Sequence, residues 1–254
     1  HYIIEQVEDL ILKKKNKMIL ANKSLDKKII ENIINKKKNK NITKKKPVNF
    51  FKNKIIKKPW GFEYCVKSSK KFALWALLIK RKQSTSMHAH LNKKTYLINT
   101  KKINFCSINK KHKIKPFSIL EINKKTFHQT KNLLNEDVVI FEIEIPNNKF
   151  DLLRYKDKYN RKSSKYENEI LKNKKDLDLK KKINQEYFKF FEGKKIKTNK
   201  KIFKNDIVIL INGSLILDKK KLNCFKPVKF NRNKILFKNV NFKDNTKFFI
   251  LKNR

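Results

Sequence analysis

The amino-acid sequence predicts a mainly β protein that contains an antiparallel barrel, a second and smaller β unit, and a short helical segment at the N-terminus. Three observations predict this class. Short apolar runs separated by polar turns recur between residues 72 and 145, and a second group of such runs lies between residues 206 and 251. Helical periodicity is confined to the start of the chain and to one charged stretch between the two groups. Because 39% of the 254 residues are hydrophobic, the chain can bury a core.

The first β group has the run lengths and spacing of an all-β sandwich or barrel. Each run is rich in β-branched and aromatic residues, and a polar turn separates it from the next. Strands are predicted at Phe72–Lys80, Thr95–Asn99, Ile103–Ile108, Phe117–Ile122 and Val138–Ile145. We assign residues 51–164 to this barrel, which we expect to be an antiparallel jelly roll.

The N-terminal segment, residues 1–50, is predicted to be helical and to end in a linker. Apolar residues share one helical face over residues 2–13, and a second such pattern follows Ser24, which is a candidate N-cap. Residues 35–46 are almost entirely Lys and Asn and have no periodicity. That composition is typical of a flexible linker that repels itself.

The C-terminal part is predicted to be a helical connector over residues 165–199 and a second β unit over residues 200–254. In this unit the dipeptide Asn212-Gly213 favours a type I′ hairpin between two flanking apolar runs. The predicted strands are Asp206–Ile211, Ser214–Asp218, Ile235–Phe237 and Lys247–Leu251. We interpret the unit as a degenerate copy of the barrel, and its sequence lacks a histidine for an equivalent metal site.

The formal charge of +45 invites a nucleic-acid interpretation, because lysines that neutralise phosphates bind any sequence. Base composition explains the charge better, since residues with AT-rich codons are abundant throughout while Gly, Ala, Pro and Arg are scarce. Only five of the 67 basic residues are Arg, the side chain that makes planar, bidentate phosphate contacts. We therefore expect no specific nucleic-acid partner, and only weak, salt-sensitive binding to DNA or RNA.

The sequence also bears on location and redox state. It lacks any run of about 18 apolar residues and any secretory leader pattern, so we expect a cytoplasmic protein without a membrane span. The three cysteines lie far apart and outside any CxxC pair. That spacing argues against a disulfide framework and a cysteine zinc site. A homodimer is compatible with the sequence.

Three histidines form the candidate metal site. His88 and His90 stand two apart, so a β-strand would send both side chains to the same face. His128 lies at the end of another apolar run and could be brought inward from a neighbouring strand. Three neutral imidazoles suit Zn, Fe, Ni or Cu better than Mg or Ca.

The histidine pattern resembles the two motifs of the cupin superfamily. The first motif is a Gly, five residues, His-x-His and a Glu three or four residues on, and the second is Pro-x-Gly, two residues, His, three residues and Asn. His88 and His90 match the first motif, and His128 and Asn132 match the second. The resemblance implies a β-barrel that holds a divalent transition metal on these three histidines.

The sequence departs from the cupin motifs at several positions. The two motif glycines are Lys82 and Lys125, the proline is Asn123, and the glutamate falls on Lys94 or Thr95. Replacing a turn glycine at positive φ costs roughly 1 kcal/mol, which weakens a barrel without abolishing it. Because a charged lysine cannot ligate a dication, we expect Lys94 to point away from the ion; otherwise the metal site has decayed.

A narrower resemblance covers residues 57–161. The stretch 58–64, Lys-Pro-Trp-Gly-Phe-Glu-Tyr, and the stretch 151–161 are similar to the beginning and the end of the cupin domain in type II mannose-6-phosphate isomerases, which are often joined to mannose-1-phosphate guanylyltransferases. This resemblance implies relatives in nucleotide-sugar and surface-polysaccharide synthesis. The Gly-rich loop of the nucleotidyltransferase is absent from the sequence.

Four further residues are candidates for substrate binding. Glu142 and Glu144 share one strand face, where one of them either supplies the missing carboxylate or belongs to an ordinary polar face. Arg154 and Arg161 either hold a sugar phosphate or form salt bridges at the end of the barrel. No particular residue is predicted to be catalytic.

Two functional hypotheses follow. In the first, a metal-binding cupin acts as an isomerase or epimerase on a phosphorylated or nucleotide-linked sugar. In the second, a non-catalytic cupin binds a sugar or assists a partner enzyme and has a decayed metal site. The three histidines favour the first hypothesis, whereas the missing motif glutamate favours the second.

Overall fold

A computed structural model describes residues 17–36, 50–161, 166, 169–171, 174–192, 201–217, 220–230, 234–236, 241–242 and 245–253. The chain divides into two compact units, residues 1–172 and residues 173–254. The helix predicted over residues 2–13 and most of the Lys/Asn-rich linker lie outside the described residues.

In its described residues, the first unit contains one helix and thirteen strands. The helix is α1 (Ser24–Lys36), and the strands are β1 (Lys17–Leu20), β2 (Ile55–Lys58), β3 (Gly61–Ser68), β4 (Ala73–Ile79), β5 (Met87–Ala89), β6 (Lys94–Asn99), β7 (Ile103–Cys106), β8 (Lys111–Ile114), β9 (Ile119–Ile122), β10 (Gln129–Lys131), β11 (Val138–Ile145), β12 (Leu153–Lys156) and β13 (Ile170–Leu171). All five strands predicted for the barrel are present, although β4, β7 and β9 are each two residues shorter than predicted. The prediction of a mainly β fold is confirmed.

The strands of this unit form two faces around one core. The larger face is an eight-stranded sheet in the order β1-β9-β6-β11-β4-β3-β2-β13, antiparallel except where β1 pairs with β9. The smaller face combines the sheets β10-β7-β8 and β12-β5, which are linked by the isolated bridges His88 to His128 and Ser84 to Lys131. Phe105 on β7 and Trp75 on β4 belong to the same buried cluster, so the two faces enclose it. This two-faced antiparallel arrangement is that of a jelly-roll barrel.

Helix α1 covers the outer side of the strands that carry the histidines. Its apolar face packs Ile30 against Phe127 and Leu153 in a second buried cluster. The carboxylate of Asp26, in the first turn of α1, accepts hydrogen bonds from the backbone N–H of Lys23 at 2.9 Å and of Phe127 at 3.0 Å. The helix is therefore fixed directly beside His128. Strand β1, which precedes this helix, was not predicted.

Gly61 begins β3 at a position that no other residue could occupy without a shift of the backbone. Its φ is 144°, and a Cβ built on it would lie 1.9 Å from the carbonyl oxygen of Leu78 on β4. The glycine is thus required by the close pairing of β3 and β4. This explains the Pro-Trp-Gly sequence at the start of the barrel in structural terms.

The two lysines that stand at the cupin motif glycines both have left-handed backbones. The φ of Lys82 is 57° and that of Lys125 is 60°. The backbone N–H of Lys125 donates to the carbonyl oxygen of His90 at 2.6 Å, so one of these turns directly supports the histidine site. Both turns have the backbone conformation that favours glycine, although each contains a lysine at that position.

Lys82→Gly and Lys125→Gly should each stabilise the barrel by about 1 kcal/mol, because glycine removes the cost of a Cβ at positive φ. Both tryptophans lie in the first unit, so their fluorescence during urea unfolding measures its stability alone. Lys124→Gly is the matched control, since Lys124 has no positive φ, and it should be destabilising by roughly 0.5 to 1 kcal/mol. Equal effects at positions 124 and 125 would contradict the prediction.

Asn132, the last residue of the second motif, is fully buried. Its Nδ2 donates to the carbonyl oxygens of Ile79 at 3.0 Å and Glu136 at 2.8 Å, and its Oδ1 accepts from the N–H of Leu134 at 3.0 Å. The side chain therefore joins the end of β4 to the turn that precedes β11, and its role here is structural.

The second unit is also mainly β. Its elements are α2 (Lys174–Tyr187), β14 (Phe188–Glu192), β15 (Lys201–Phe203), β16 (Ile207–Asn212), β17 (Leu215–Leu217), β18 (Lys220–Lys221), β19 (Pro227–Lys229), β20 (Lys234–Leu236), β21 (Asn241–Phe242) and β22 (Lys247–Leu251). The sheets are β14-β22-β16-β19, β15-β20 and β18-β17-β21. The strands predicted near residues 207, 215, 235 and 247 are present, and the charged stretch before them contains the predicted helix.

The predicted type I′ hairpin at Asn212-Gly213 is wrong. Gly213 has a φ of 81°, but Asn212 is not left-handed, whereas a type I′ turn needs both. Strand β16 pairs with β19 and β22, and β17 pairs with β18 and β21, so the two strands belong to different sheets. Long-range pairing of β16 with β22 overrides the local preference of the dipeptide.

Candidate metal centre

The three predicted histidines converge. His88 lies within β5 and His90 directly follows that strand, so strand alternation directs both rings into the barrel. His128 precedes β10, and its backbone exchanges hydrogen bonds of 3.0 and 2.8 Å with the backbone of His88. The ring centroids lie 4.3 to 5.2 Å apart. One ring nitrogen from each histidine lies within 4.8 Å of the other two, so the three side chains form a group that could hold a metal ion.

Backbone carbonyls fix the orientation of all three rings. The Nδ1 of His88 is 2.9 Å from the carbonyl oxygen of Ser86, that of His90 is 2.5 Å from Asp151, and that of His128 is 3.0 Å from Thr126. A carbonyl oxygen only accepts, so each Nδ1 carries the proton and each Nε2 keeps its lone pair. The Nε2 of His90 is buried and has no hydrogen-bond partner. Metal-ligating histidines in proteins are usually oriented in this way, through a hydrogen bond from the ring nitrogen that does not bind the metal.

Burial also keeps the rings neutral. Burial, followed by the neighbouring His128 ring, holds the pKa of His88 well below its ordinary value. Burial and then the charge of Lys93 do the same to the pKa of His90, and burial lowers the pKa of His128 to about 4. Since a metal ion binds neutral imidazole, the ligands are in the competent protonation state at neutral pH.

Lys94 points away from the histidines, as expected. Its Nζ donates to the Glu121 carboxylate at 2.7 Å, and its side chain is 38% exposed. The preceding residue, Lys93, was not predicted to matter, yet its side chain is only 1% exposed and its Nζ donates to Glu144 at 2.7 Å. Lys93 lines the same cleft as His88 and His90. A buried cation therefore lies beside the candidate site.

Asp151 fixes the loop between His90 and Lys93. Its carboxylate accepts hydrogen bonds from the backbone N–H groups of Leu91, Asn92 and Lys93 at 2.8, 2.7 and 3.0 Å. Because its own carbonyl holds the His90 ring, one residue positions both this histidine of the candidate site and the buried lysine. Sequence reasoning missed this role, since only a non-local contact reveals it.

The two candidate glutamates differ in their surroundings. Glu144 is completely buried and forms ion pairs with Lys93 at 2.7 Å and Lys149 at 3.0 Å. Glu142 lines the cleft and forms a longer ion pair with Lys149, at 3.7 Å. Neither carboxylate belongs to the group of converging ligand atoms, which among the described residues consists of the three histidines. In this structure neither glutamate replaces the missing motif carboxylate.

A cluster of buried ionic side chains extends from the histidines into the cleft. Lys149 forms ion pairs with Glu63 at 3.1 Å as well as with the two glutamates of β11, and it lies 4.1 Å above the ring of Trp75. Glu63 also forms an ion pair with Lys58 at 3.7 Å and accepts a hydrogen bond from the Tyr166 hydroxyl. We call Lys58, Glu63, Lys93, Glu142, Glu144 and Lys149 the ionic cluster. Its lysines could not be singled out in so lysine-rich a sequence.

The predicted arginines also reach the cleft. Arg154 on β12 pairs with His88 across the sheet, is buried, and donates to the carbonyl oxygen of Arg161 at 3.4 Å. Arg161 forms a two-pronged pair with Asp157, through Nη2 at 2.7 Å and Nε at 2.9 Å. Both arginines line the cleft with His88 and His90. Arg161 therefore forms a salt bridge. Because it also lines the cleft, a role in binding a sugar phosphate stays a proposal.

Comparisons with known proteins give structural similarity only. No protein-family model matches the sequence, and no curated protein matches it. A sugar phosphate isomerase of the cupin superfamily from Silicibacter pomeroyi is 11% identical, with a TM-score of 0.31, over 33% of this chain and 58% of that chain. KdgF from Halomonas is 13% identical, with a TM-score of 0.34, over 36% of this chain and 84% of that one.

The capsular polysaccharide assembling protein CapF from Staphylococcus aureus is 15% identical, with a TM-score of 0.35, over 41% of this chain and 34% of that one. The chain spans about half the length of two of these structural neighbours, namely 58% of the Silicibacter pomeroyi protein and 50% of a similar protein from Acidithiobacillus ferrooxidans. The strand pairings of the first unit by themselves define the jelly roll.

Among the described residues, neither helix has the length and apolar character needed to cross a membrane.

Proposed function

We propose that the first unit is a metal-binding cupin that acts on a phosphorylated or nucleotide-linked sugar as an isomerase or epimerase. The observation that carries the proposal is the convergence of three neutral imidazoles, each oriented by a carbonyl oxygen, at the wall of a cleft with many cationic side chains. A histidine-bound divalent transition metal such as Zn, Fe or Ni would polarise a carbonyl or hydroxyl oxygen of the sugar there.

The side chains of the cleft supply the remaining functions. Lys58, Arg154 and Arg161 line it and can attract the negative charge of a phosphate. Trp60 and Leu152 contribute apolar walls that limit the access of water. The narrower resemblance at residues 58–64 and 151–161 supports a sugar phosphate as the substrate, within surface-polysaccharide metabolism.

Metal analysis of protein purified without chelators and without a histidine tag tests the first part. We expect about one zinc, iron or nickel ion per chain, since the three ligands are preorganised. His112→Ala is the control, because His112 on β8 lies outside the converging group and its loss should leave the metal in place. Metal-free protein that cannot be loaded with zinc would refute the metal site.

Proton exchange between a sugar phosphate and solvent tests the isomerase or epimerase activity. The metal-loaded protein should exchange the C2 proton of mannose 6-phosphate, or the C1 proton of fructose 6-phosphate, with solvent D₂O, as followed by NMR. Exchange with neither sugar phosphate, nor with a nucleotide-linked hexose, would rule out the isomerase and epimerase activities.

The second candidate function is a non-catalytic sugar-binding or partner-assisting cupin with a decayed site. It is favoured by the absence of a carboxylate from the converging ligands and by the buried Lys93 cation beside them. Binding of mannose 6-phosphate without proton exchange, equally strong in metal-free and zinc-loaded protein, is the result that this alternative requires.

A further inference from the structure

We propose that Glu142 is the residue that transfers a proton to and from the sugar held at the histidine site. The inference rests on the proposed function and names the acid–base residue of the same site. In an aldose–ketose isomerisation, the Glu142 carboxylate would take the proton from the carbon next to the carbonyl. The electrons of that C–H bond form the C1=C2 double bond, and the carbonyl oxygen becomes an enediolate oxygen. Return of this proton to the other carbon, together with transfer of the hydroxyl proton to the former carbonyl oxygen, completes the isomerisation without a further reactant.

The position of Glu142 is the first argument. It lies in the middle of β11, paired with Trp75 on β4 and with Leu97 on β6, so its location is fixed by two neighbouring strands. Its side chain lines the cleft together with His88 and His90. A sugar bound against the histidines would therefore meet this carboxyl group.

The contrast with Glu144 is the second argument. Both carboxylates project from the same face of β11, but Glu144 is 0% exposed and is held by two lysines at 2.7 and 3.0 Å. Glu142 forms an ion pair with one of these lysines, Lys149, at 3.7 Å. The Glu144 carboxylate is thus held in ion pairs with Lys93 and Lys149, whereas Glu142 faces the space that a substrate would occupy.

The surrounding charges support the assignment. Four groups act on Glu142: Lys149 and Lys93 favour its charged form, and Glu144 and Glu63 oppose it. Burial exceeds these effects and raises the pKa of Glu142 above its ordinary value, while the two lysines hold the pKa of Glu144 below it despite burial. Environments that push the pKa values of two adjacent carboxyl groups apart in this way are typical of acid–base sites.

Glu142→Gln in the zinc-loaded protein is the first test, because the substitution keeps the shape of the side chain and removes its basicity. We expect the metal content to be unchanged and the exchange of fructose 6-phosphate protons with D₂O to fall by about 10² to 10⁴-fold. The acidic limb of the exchange rate against pH should also disappear. Glu136→Gln, at an exposed glutamate paired with Lys101, is the matched control and should exchange at the wild-type rate.

Two results would overturn the assignment. Loss of metal in Glu142→Gln would make Glu142 a ligand, and undiminished exchange would place the proton transfer elsewhere. If the wild-type protein exchanges no sugar proton at all, the proposed function fails for these sugars. The carboxyl ¹³C signals of labelled protein then decide the inference separately. Glu142 must titrate above Glu144 and respond to added mannose 6-phosphate; a lower pKa, or no response, refutes its role.

Discussion

Glu144→Gln should lower the free energy of unfolding of the barrel by about 3 to 5 kcal/mol, the cost of removing one partner from a buried ion pair. The Lys93 ammonium would lose its anionic partner while its side chain is 1% exposed, so neither water nor another carboxylate in the described ionic cluster compensates it directly. Tryptophan fluorescence during urea unfolding measures the change. Glu136→Gln, which breaks an exposed pair, should cost less than about 1 kcal/mol. A Glu144 effect as small as that of the control would contradict a stabilising role for this buried ion pair.

The effect of Glu144→Gln should depend on pH. The lysines hold the pKa of the Glu144 carboxyl below its ordinary value of 4.5 in the folded protein. As the pH falls, the unfolded chain therefore binds this proton first, and the stability that the carboxylate contributes is complete above pH 4.5 and is lost as the pH falls through the lower folded-state value. The stabilities of wild type and variant should differ most at neutral pH and converge in acid. A constant difference down to pH 3 would contradict the ionic explanation.

The sequence was sufficient to predict the histidine site because its information is local. Two histidines separated by one residue on a strand must lie on the same face. The third histidine, at the end of another apolar run, joins them if its strand pairs with theirs. The pairing of His88 with His128 meets this condition. The prediction of the five barrel strands was correct for the same reason, because a strand is recognised from the composition and spacing of a few neighbouring residues.

The ionic cluster could not be predicted because it has no local signal. Lys93 and Lys149 resemble the many exposed lysines of this chain, and only the fold shows that both are buried against Glu144. The failed hairpin at Asn212-Gly213 has a related cause, because a strong local preference yielded to the pairing of β16 with β22. Lys82 and Lys125 illustrate the opposite case. Both lie in turns whose backbone favours glycine, although the amino acid at each position is lysine.

His128→Ala should abolish stoichiometric metal binding. Two histidines remain, and with no carboxylate in the converging group they hold a dication much more weakly than three. The His128 ring is buried and stacks on Phe105 with a centroid distance of 6.0 Å, so the barrel should also lose stability. His88→Ala separates the two effects, because His88 is only partly buried and its removal should leave the barrel folded.

The measurement is metal content after equilibration with zinc and gel filtration, together with the tryptophan fluorescence of each variant. We expect both histidine variants to lose the metal and His112→Ala to retain it at the wild-type level. A folded His88→Ala protein that still carries one zinc ion per chain would show that the metal binds elsewhere. Sugar-phosphate turnover that survives in that variant would separate the chemistry from the histidines.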